Sequence, residues 1–211
     1  DGAAPFLAAA GKDGIRFRAV LAPAAGDLSR KDLDGLATVA REAGAVVRAE
    51  PLQGKGHVVR RMFADVDADL YVLVDGDATY DAGSAPAMVQ LLLEDDLDMV
   101  VGCRVHTDTQ AYRRGHEFGN ALLTGFVARL FGKTFTDILS GYRVFSRRFV
   151  KSFPALSKGF ETEAELTVHA LGLRMAVAEV ETPYGARPEG SVSKLSTYRD
   201  GFRTLRLILV L

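Results

Sequence analysis

Leu70-Tyr71-Val72-Leu73-Val74-Asp75-Gly76-Asp77 is an apolar run that stops on two carboxylates flanking a glycine. Five apolar residues in a row, bounded by a turn signal, read as a buried parallel strand. The acids then stand where that strand ends, and in open α/β sheets ligands gather outside the carboxyl ends of the strands. A carboxylate pair there is a hard-cation site: oxygen ligands suit Mg²⁺ or Mn²⁺, ions usually held together with substrate phosphates. Gly76 lets the backbone turn tightly and a ligand approach closely. A plain polar turn uses the same letters, since Asp-Gly is a common turn dipeptide.

Outward from this strand the chain alternates. Leu33, Leu36, Val39, Ala40 and Ala43 follow a helical period, with Ser29 or Asp32 upstream as a cap and Gly44 as the stop; a short strand over Ala45–Arg48 follows. Helices are predicted at Gly56–Val66 and Pro86–Leu93, on either side of the Leu70–Val74 strand, and Met99–Val101 reads as another buried strand. Leu122, Leu123, Phe126, Val127 and Leu130 give the helix from Phe118 to Phe131 a broad apolar face, and Gly132 ends it. Strand and helix in alternation predict an α/β, three-layer sandwich with a mostly parallel central sheet.

Composition narrows the class. With 211 residues, 48% apolar and 25% charged, the chain has ordinary globular composition and room for one sizeable domain. A formal net charge of -1 gives no support to a nucleic-acid partner. Cys103 is the single cysteine, which excludes an internal disulfide and suits a reducing compartment. No signal peptide is visible at Asp1 and no apolar run reaches the length of a membrane span, so the expectation is a soluble or peripherally attached chain.

The company kept by Asp75 and Asp77 is more specific than the pair itself. Gln53-Gly54-Lys55-Gly56 precedes it. Asp137-Ile138-Leu139-Ser140-Gly141-Tyr142-Arg143-Val144-Phe145, Gly159-Phe160-Glu161-Thr162-Glu163-Ala164-Glu165-Leu166 and Arg187-Pro188-Glu189-Gly190-Ser191-Val192-Ser193-Lys194 follow. In that order and spacing they resemble the family 2 glycosyltransferases, and among these the polyprenyl-phosphate glycosyltransferases similar to dolichyl-phosphate mannose synthase. The resemblance runs from about Gly44 to Leu211.

It implies a GT-A-like fold and an inverting, metal-dependent transfer of a hexose from a nucleotide-diphosphate sugar to a polyprenyl phosphate. Asp75 and Asp77 are then the candidate ligands of Mg²⁺ or Mn²⁺, with Asp77 in a catalytic role. Lys55, between two glycines at a helix start, becomes a donor contact with Asp75, Arg187, Ser193 and Lys194; solvated glycine turns and a plain mobile loop are the bland alternatives. Arginine can grip phosphate bidentately, and the resemblance gives Arg143 and one of Arg113 or Arg114 to the acceptor phosphate. Surface charge, and an Arg143–Asp137 ion pair, are the alternatives there. On a helix Glu161 and Glu165 share a face while Glu163 points away. Glu163 is the preferred catalytic-site acid, for positioning, because an acceptor phosphate is already largely ionised at neutral pH.

The two ends of the chain carry separate expectations. Ala3–Ala10 reads as the end of a helix and Phe17–Leu21 as a strand, so the strand that opens the resembled family is missing or diverged. Domain limits of 1–196 for the GT-A-like part and 197–211 for an amphipathic juxtamembrane helix follow. In that helix Arg199, Arg203 and Arg206 form a stripe beside Tyr198, Phe202, Leu205 and Leu209, as on a helix lying against an anionic membrane surface; a helix capping the core is the alternative. An end within Leu205–Leu211 suggests that an anchoring continuation was cut away or is absent. The expected location is cytoplasmic, peripheral or anchored at the inner face of the cell membrane, and a homo-oligomer is compatible with it. The rival reading is a non-catalytic GT-A-like module that binds a membrane or protein partner.

Overall fold

The computed structural model describes residues 20–21, 30–106, 114–132, 135–186 and 197–210. The expected helix at Ala3–Ala10 lies outside them. The described part opens with β1 (Val20–Leu21), α1 (Arg30–Glu42) and β2 (Val46–Val47), and β1 and β2 pair in parallel. Then come α2 (Lys55–Asp65), β3 (Leu70–Leu73), a 3₁₀ turn (Ala82–Ser84), α3 (Ala85–Glu94) and β4 (Met99–His106). The chain continues through α4 (Arg114–Phe131), β5 (Arg143–Ser146), α5 (Arg147–Ser152), α6 (Thr162–Gly172), β6 (Val177–Tyr184) and α7 (Thr197–Val210).

The main sheet has the order β3-β5-β4-β6. β4 and β6 are parallel, whereas β5 runs antiparallel to both its neighbours, β3 and β4. Three of the four strands therefore point the same way, as the alternation predicts, with one reversed strand between them. The ladder pairs Leu73 and Val101 with the same residue, Arg143, so the outgoing ends of β3 and β4 lie level at one sheet edge.

Side-chain alternation along the strands builds two cores. Tyr71, Met99, Val101 and Phe145 face one way, into a cluster with Val59, Val127, Phe149, Leu166 and Ile208. Leu70, Val72, Val100 and Val144 face the other way, against Met88, Val89 and Leu92 of α3. Helices thus cover both faces, which is the expected three-layer sandwich. Val144, Phe145 and Phe149 are fully buried, and each such side chain contributes about 1.5–3 kcal/mol of burial.

α7 closes one end of the larger core. Ile208 and Thr204 are buried and Leu205 packs against the cluster, while Phe202 and Leu209 stand out at 70% and 65% exposure beside the exposed Arg203 and Arg206. Among the described residues no helix is long and apolar enough to cross a membrane.

Candidate active site

Lys55 organises the carboxyl edge of the sheet. It is the first residue of α2, where a cation meets the positive end of the helix dipole and is disfavoured. Two acids compensate: Lys55 Nζ lies 2.5 Å from Asp75 Oδ1 and also pairs with Glu163 Oε1. Burial pulls the lysine pKa down, but the Glu163 and Asp75 carboxylates outweigh it and hold the ammonium above its ordinary range. Glu163 is held above the ordinary carboxylate range by burial and by Asp75, against the pull of Lys55. Its second oxygen, Oε2, is buried without a hydrogen-bond partner.

Glycines allow this convergence. A Cβ on Gly141 would sit 2.5 Å from Asp75 Oδ2 and 2.9 Å from Lys55 Nζ, so the Ser140–Gly141 turn packs directly on the ion pair. A Cβ on Gly56 would meet the Ser157 carbonyl oxygen at 2.2 Å, and Gly54 has a φ of 129° with Lys158 pressed against it. The two glycines around Lys55 therefore seat α2 on the segment before α6.

The three glutamates divide as helical spacing predicts. Glu161 accepts from the backbone N–H groups of Lys158 and Gly159, and Glu165 accepts from those of Leu156 and Ser157, both at 2.7 Å. Those two hold the loop; Glu163 alone turns to Lys55 and Asp75.

Asp77 is fixed by the residue two positions on. Its Oδ1 accepts from Thr79 Oγ1 at 2.6 Å and from the Thr79 N–H at 3.3 Å, across Ala78, which is held at a φ of 60°. Strain of this kind in a non-glycine residue clusters at functional sites. Among the described residues no group of three or more His, Cys, Asp or Glu side chains forms a metal cage. The all-oxygen pair Asp75 and Asp77, both half-exposed at this edge, fits instead an ion that shares its shell with substrate phosphates.

Arg143 corrects an expectation. The guanidinium is fully buried and donates to the carbonyls of Ser140 (2.9 Å) and Ile138 (2.7 Å) and to Thr167 Oγ1 (2.9 Å), with Met99 Sδ at 3.4 Å. It braces the interior and cannot meet an acceptor phosphate in this arrangement. It does not pair with Asp137 either, because Asp137 is held bidentately by Arg104 at 2.6 and 2.7 Å.

Arg104 is the residue the sequence reading missed. The Met99–Val101 strand continues to His106, which carries Arg104 past Val101 to the level of Asp75 at the same sheet edge. Its side chain is 23% exposed and its guanidinium lies 5.6 Å from the Tyr184 ring centre. The available signal was a cation three residues beyond an apolar run, on a strand parallel to the one that ends at Asp75. Arg113, Arg187, Ser193 and Lys194 lie outside the described residues, and Arg114 opens α4.

Solved structures with the same fold include glucosyl-3-phosphoglycerate synthase from Mycobacterium tuberculosis in complex with Mn²⁺, UDP and glucosyl-3-phosphoglycerate. That match has a TM-score of 0.70 at 21% identity and covers 99% of this chain and 75% of that one. A further mycobacterial protein superposes with a TM-score of 0.73 at 20% identity, over 100% of this chain and 70% of that one. The fold is GT-A. No family model matches the chain. Three of its sequence relatives are named as glycosyl- or hexosyltransferases, and the chain is similar to them over about four fifths of its length. It is 36% identical over 170 residues to the glycosyltransferase AglJ of Haloferax volcanii, covering 80% of this chain and 56% of that protein. It is 61% identical over 84 residues to the protein RfbJ of Shigella flexneri, covering 39% of this chain and 65% of that protein. With a dolichyl-phosphate hexose transferase of H. volcanii it shares 27% identity over 163 residues, 77% of this chain and 70% of that protein. The chain thus spans less than two thirds of the length of RfbJ and AglJ.

Proposed function

We propose that the protein transfers a hexose from a nucleotide-diphosphate sugar to a polyprenyl phosphate at the cytoplasmic face of a membrane, with inversion and with a divalent ion. The observation that carries this reading is the Lys55 ammonium paired to both Glu163 and Asp75 beside Asp77, at the carboxyl edge of a GT-A sheet. The dolichyl-phosphate hexose transferase relative supports the acceptor class, and the Mn²⁺ and UDP in the M. tuberculosis synthase complex support the donor chemistry.

In this reading Asp77, with Asp75 two residues before it, would hold Mg²⁺ or Mn²⁺, and the ion would supply Lewis-acid stabilisation of the departing diphosphate. Lys55 holds Asp75 in place through their ion pair. Glu163 keeps Lys55 in place. Arg104 presents a cation for the acceptor phosphate, together with Arg113 or Arg114, while Arg187, Ser193 and Lys194 contact the donor. An acceptor oxygen attacks the anomeric carbon as the bond to the diphosphate breaks, so one displacement inverts the centre. No general base is required of the protein, because phosphate with a second pKa near 6 enters largely ionised. Residues 197–211 attach the domain to the membrane through the Arg199, Arg203 and Arg206 stripe, and the enzyme works there as a peripheral or anchored protein.

The test is a transfer assay with a short polyprenyl phosphate, Mn²⁺ and a panel of radiolabelled nucleotide sugars. Label moving to the lipid phase with one donor, and stopping on addition of EDTA, is expected. No transfer and no donor hydrolysis with any donor, by folded protein, would leave the scaffold as a binding module.

A further inference from the structure

Tyr80 lies three residues beyond Asp77 and meets two other stretches of chain that border the site. Its hydroxyl accepts the Gly141 N–H at 2.9 Å, at the turn that packs on Asp75 and Lys55. Its ring packs edge-on against Tyr142 and Tyr184, with centroids 5.5 and 4.9 Å away. Tyr184 in turn lies beneath the Arg104 guanidinium. The backbone adds a second tie: Tyr80 bridges to Tyr184, and the Gly185 N–H donates to the Thr79 carbonyl at 2.8 Å. Thr79 is the residue that fixes Asp77. Burial pushes the phenol up to about 12, so the hydroxyl stays neutral and remains an acceptor for Gly141 across the physiological range.

We infer that Tyr80 is a positioning residue which sets the two carboxylates for the metal by fastening the Asp75–Asp77 turn to the Ser140–Gly141 turn and to the outgoing end of β6. The inference rests on the reading of Asp75 and Asp77 as the metal and diphosphate site. Three separated stretches of chain meet on this one side chain. Two of its three attachments, the ring packing and the backbone bridge, survive loss of the hydroxyl. The third, the bond that locates Gly141 against Asp75, does not.

The test compares Tyr80→Phe with Tyr71→Phe. Tyr71 is a fair control because its hydroxyl also ties backbone, accepting from Ala68 and donating to Val66, but at the incoming end of β3. Binding of UDP, GDP, ADP, CDP and TDP to each folded variant is titrated calorimetrically, with Mn²⁺ and with EDTA. Tyr80→Phe is expected to lose about tenfold of the Mn²⁺-dependent affinity, the scale of one hydrogen bond, and to keep the affinity measured in EDTA. Tyr71→Phe should change neither by as much as twofold. Equal losses in both variants, or no loss in Tyr80→Phe, overturn the role of Tyr80 while leaving the metal reading intact. A parent protein whose nucleotide binding ignores Mn²⁺ removes the metal reading and this inference together.

Discussion

Lys55 is a largely buried cation and Arg143 a fully buried one, and their surroundings give them opposite consequences. Lys55 is compensated by carboxylates, so Lys55→Ala would strand Glu163 next to Asp75. Breaking a buried ion pair this way typically costs about 3–5 kcal/mol, readable as a shift in urea midpoint. Asp77→Asn removes charge from a half-exposed turn instead. The fold should keep its melting temperature, while Mn²⁺-dependent binding of a nucleoside diphosphate disappears; equal binding in variant and parent would exclude Asp77 as a ligand. Arg143→Ala leaves three acceptors without donors inside the core and should destabilise by several kcal/mol, on the order of 3–5. Arg104→Ala exposes Asp137 at the edge and should raise the KM for a lipid-phosphate acceptor more than that for donor. An unchanged acceptor KM would confine Arg104 to its partnership with Asp137.

At the scale of elements, α7 separates an inner face from an outer one. Ile208→Asp should unfold the helix from the core and lower the melting temperature, because a carboxylate would then sit among apolar side chains. Arg203→Gln with Arg206→Gln acts on the outer face: co-sedimentation with anionic liposomes should weaken by about 1 kcal/mol per charge, and added salt should mimic the substitutions. Binding insensitive to both would make the outer face irrelevant to membranes. The helix α7 and its outer stripe were legible in the sequence because their periodicity is local, but its inner face at Thr204 and Ile208 was not read. β3 and the helices around it were legible for the same reason. β5 was not: Arg143-Val144-Phe145-Ser146 is short and begins with a charge, and its place between β3 and β4 depends on partners far along the chain. Arg143 looked like a phosphate ligand because residue type says nothing of burial. Arg104 went unnoticed because β4 outlasts its apolar stretch. Lys55, Asp75 and Glu163 were each visible as candidates, but their union required three distant segments to fold together.

For the molecule as a whole, the titration of one group gives a measurable trend. His169 is packed against Phe149 and Phe153, with Ser152 Oγ 2.9 Å from its Nε2, and burial, opposed by Glu165, holds its pKa below the ordinary value. The unfolded chain therefore takes up this proton first, so the His169 contribution to stability is complete above about pH 6.5 and is lost as the pH drops below it. Urea denaturation between pH 7.5 and 5.5 should show the decline, and His169→Gln should flatten it; a parallel slope in the variant would assign the decline to other groups. The reversed strand has a consequence of another kind, in the timing of biosynthesis. β3 and β4 share no ladder, and each is joined through β5. From Leu73, where β3 ends, to Ser146, where β5 ends, the ribosome adds 73 residues (146 minus 73), which takes about 4–15 s at typical synthesis rates. Throughout that interval β3 has, among the described residues, no ladder partner yet made, and an unpaired strand edge of this kind is a template for misassociation from which chaperones protect nascent chains.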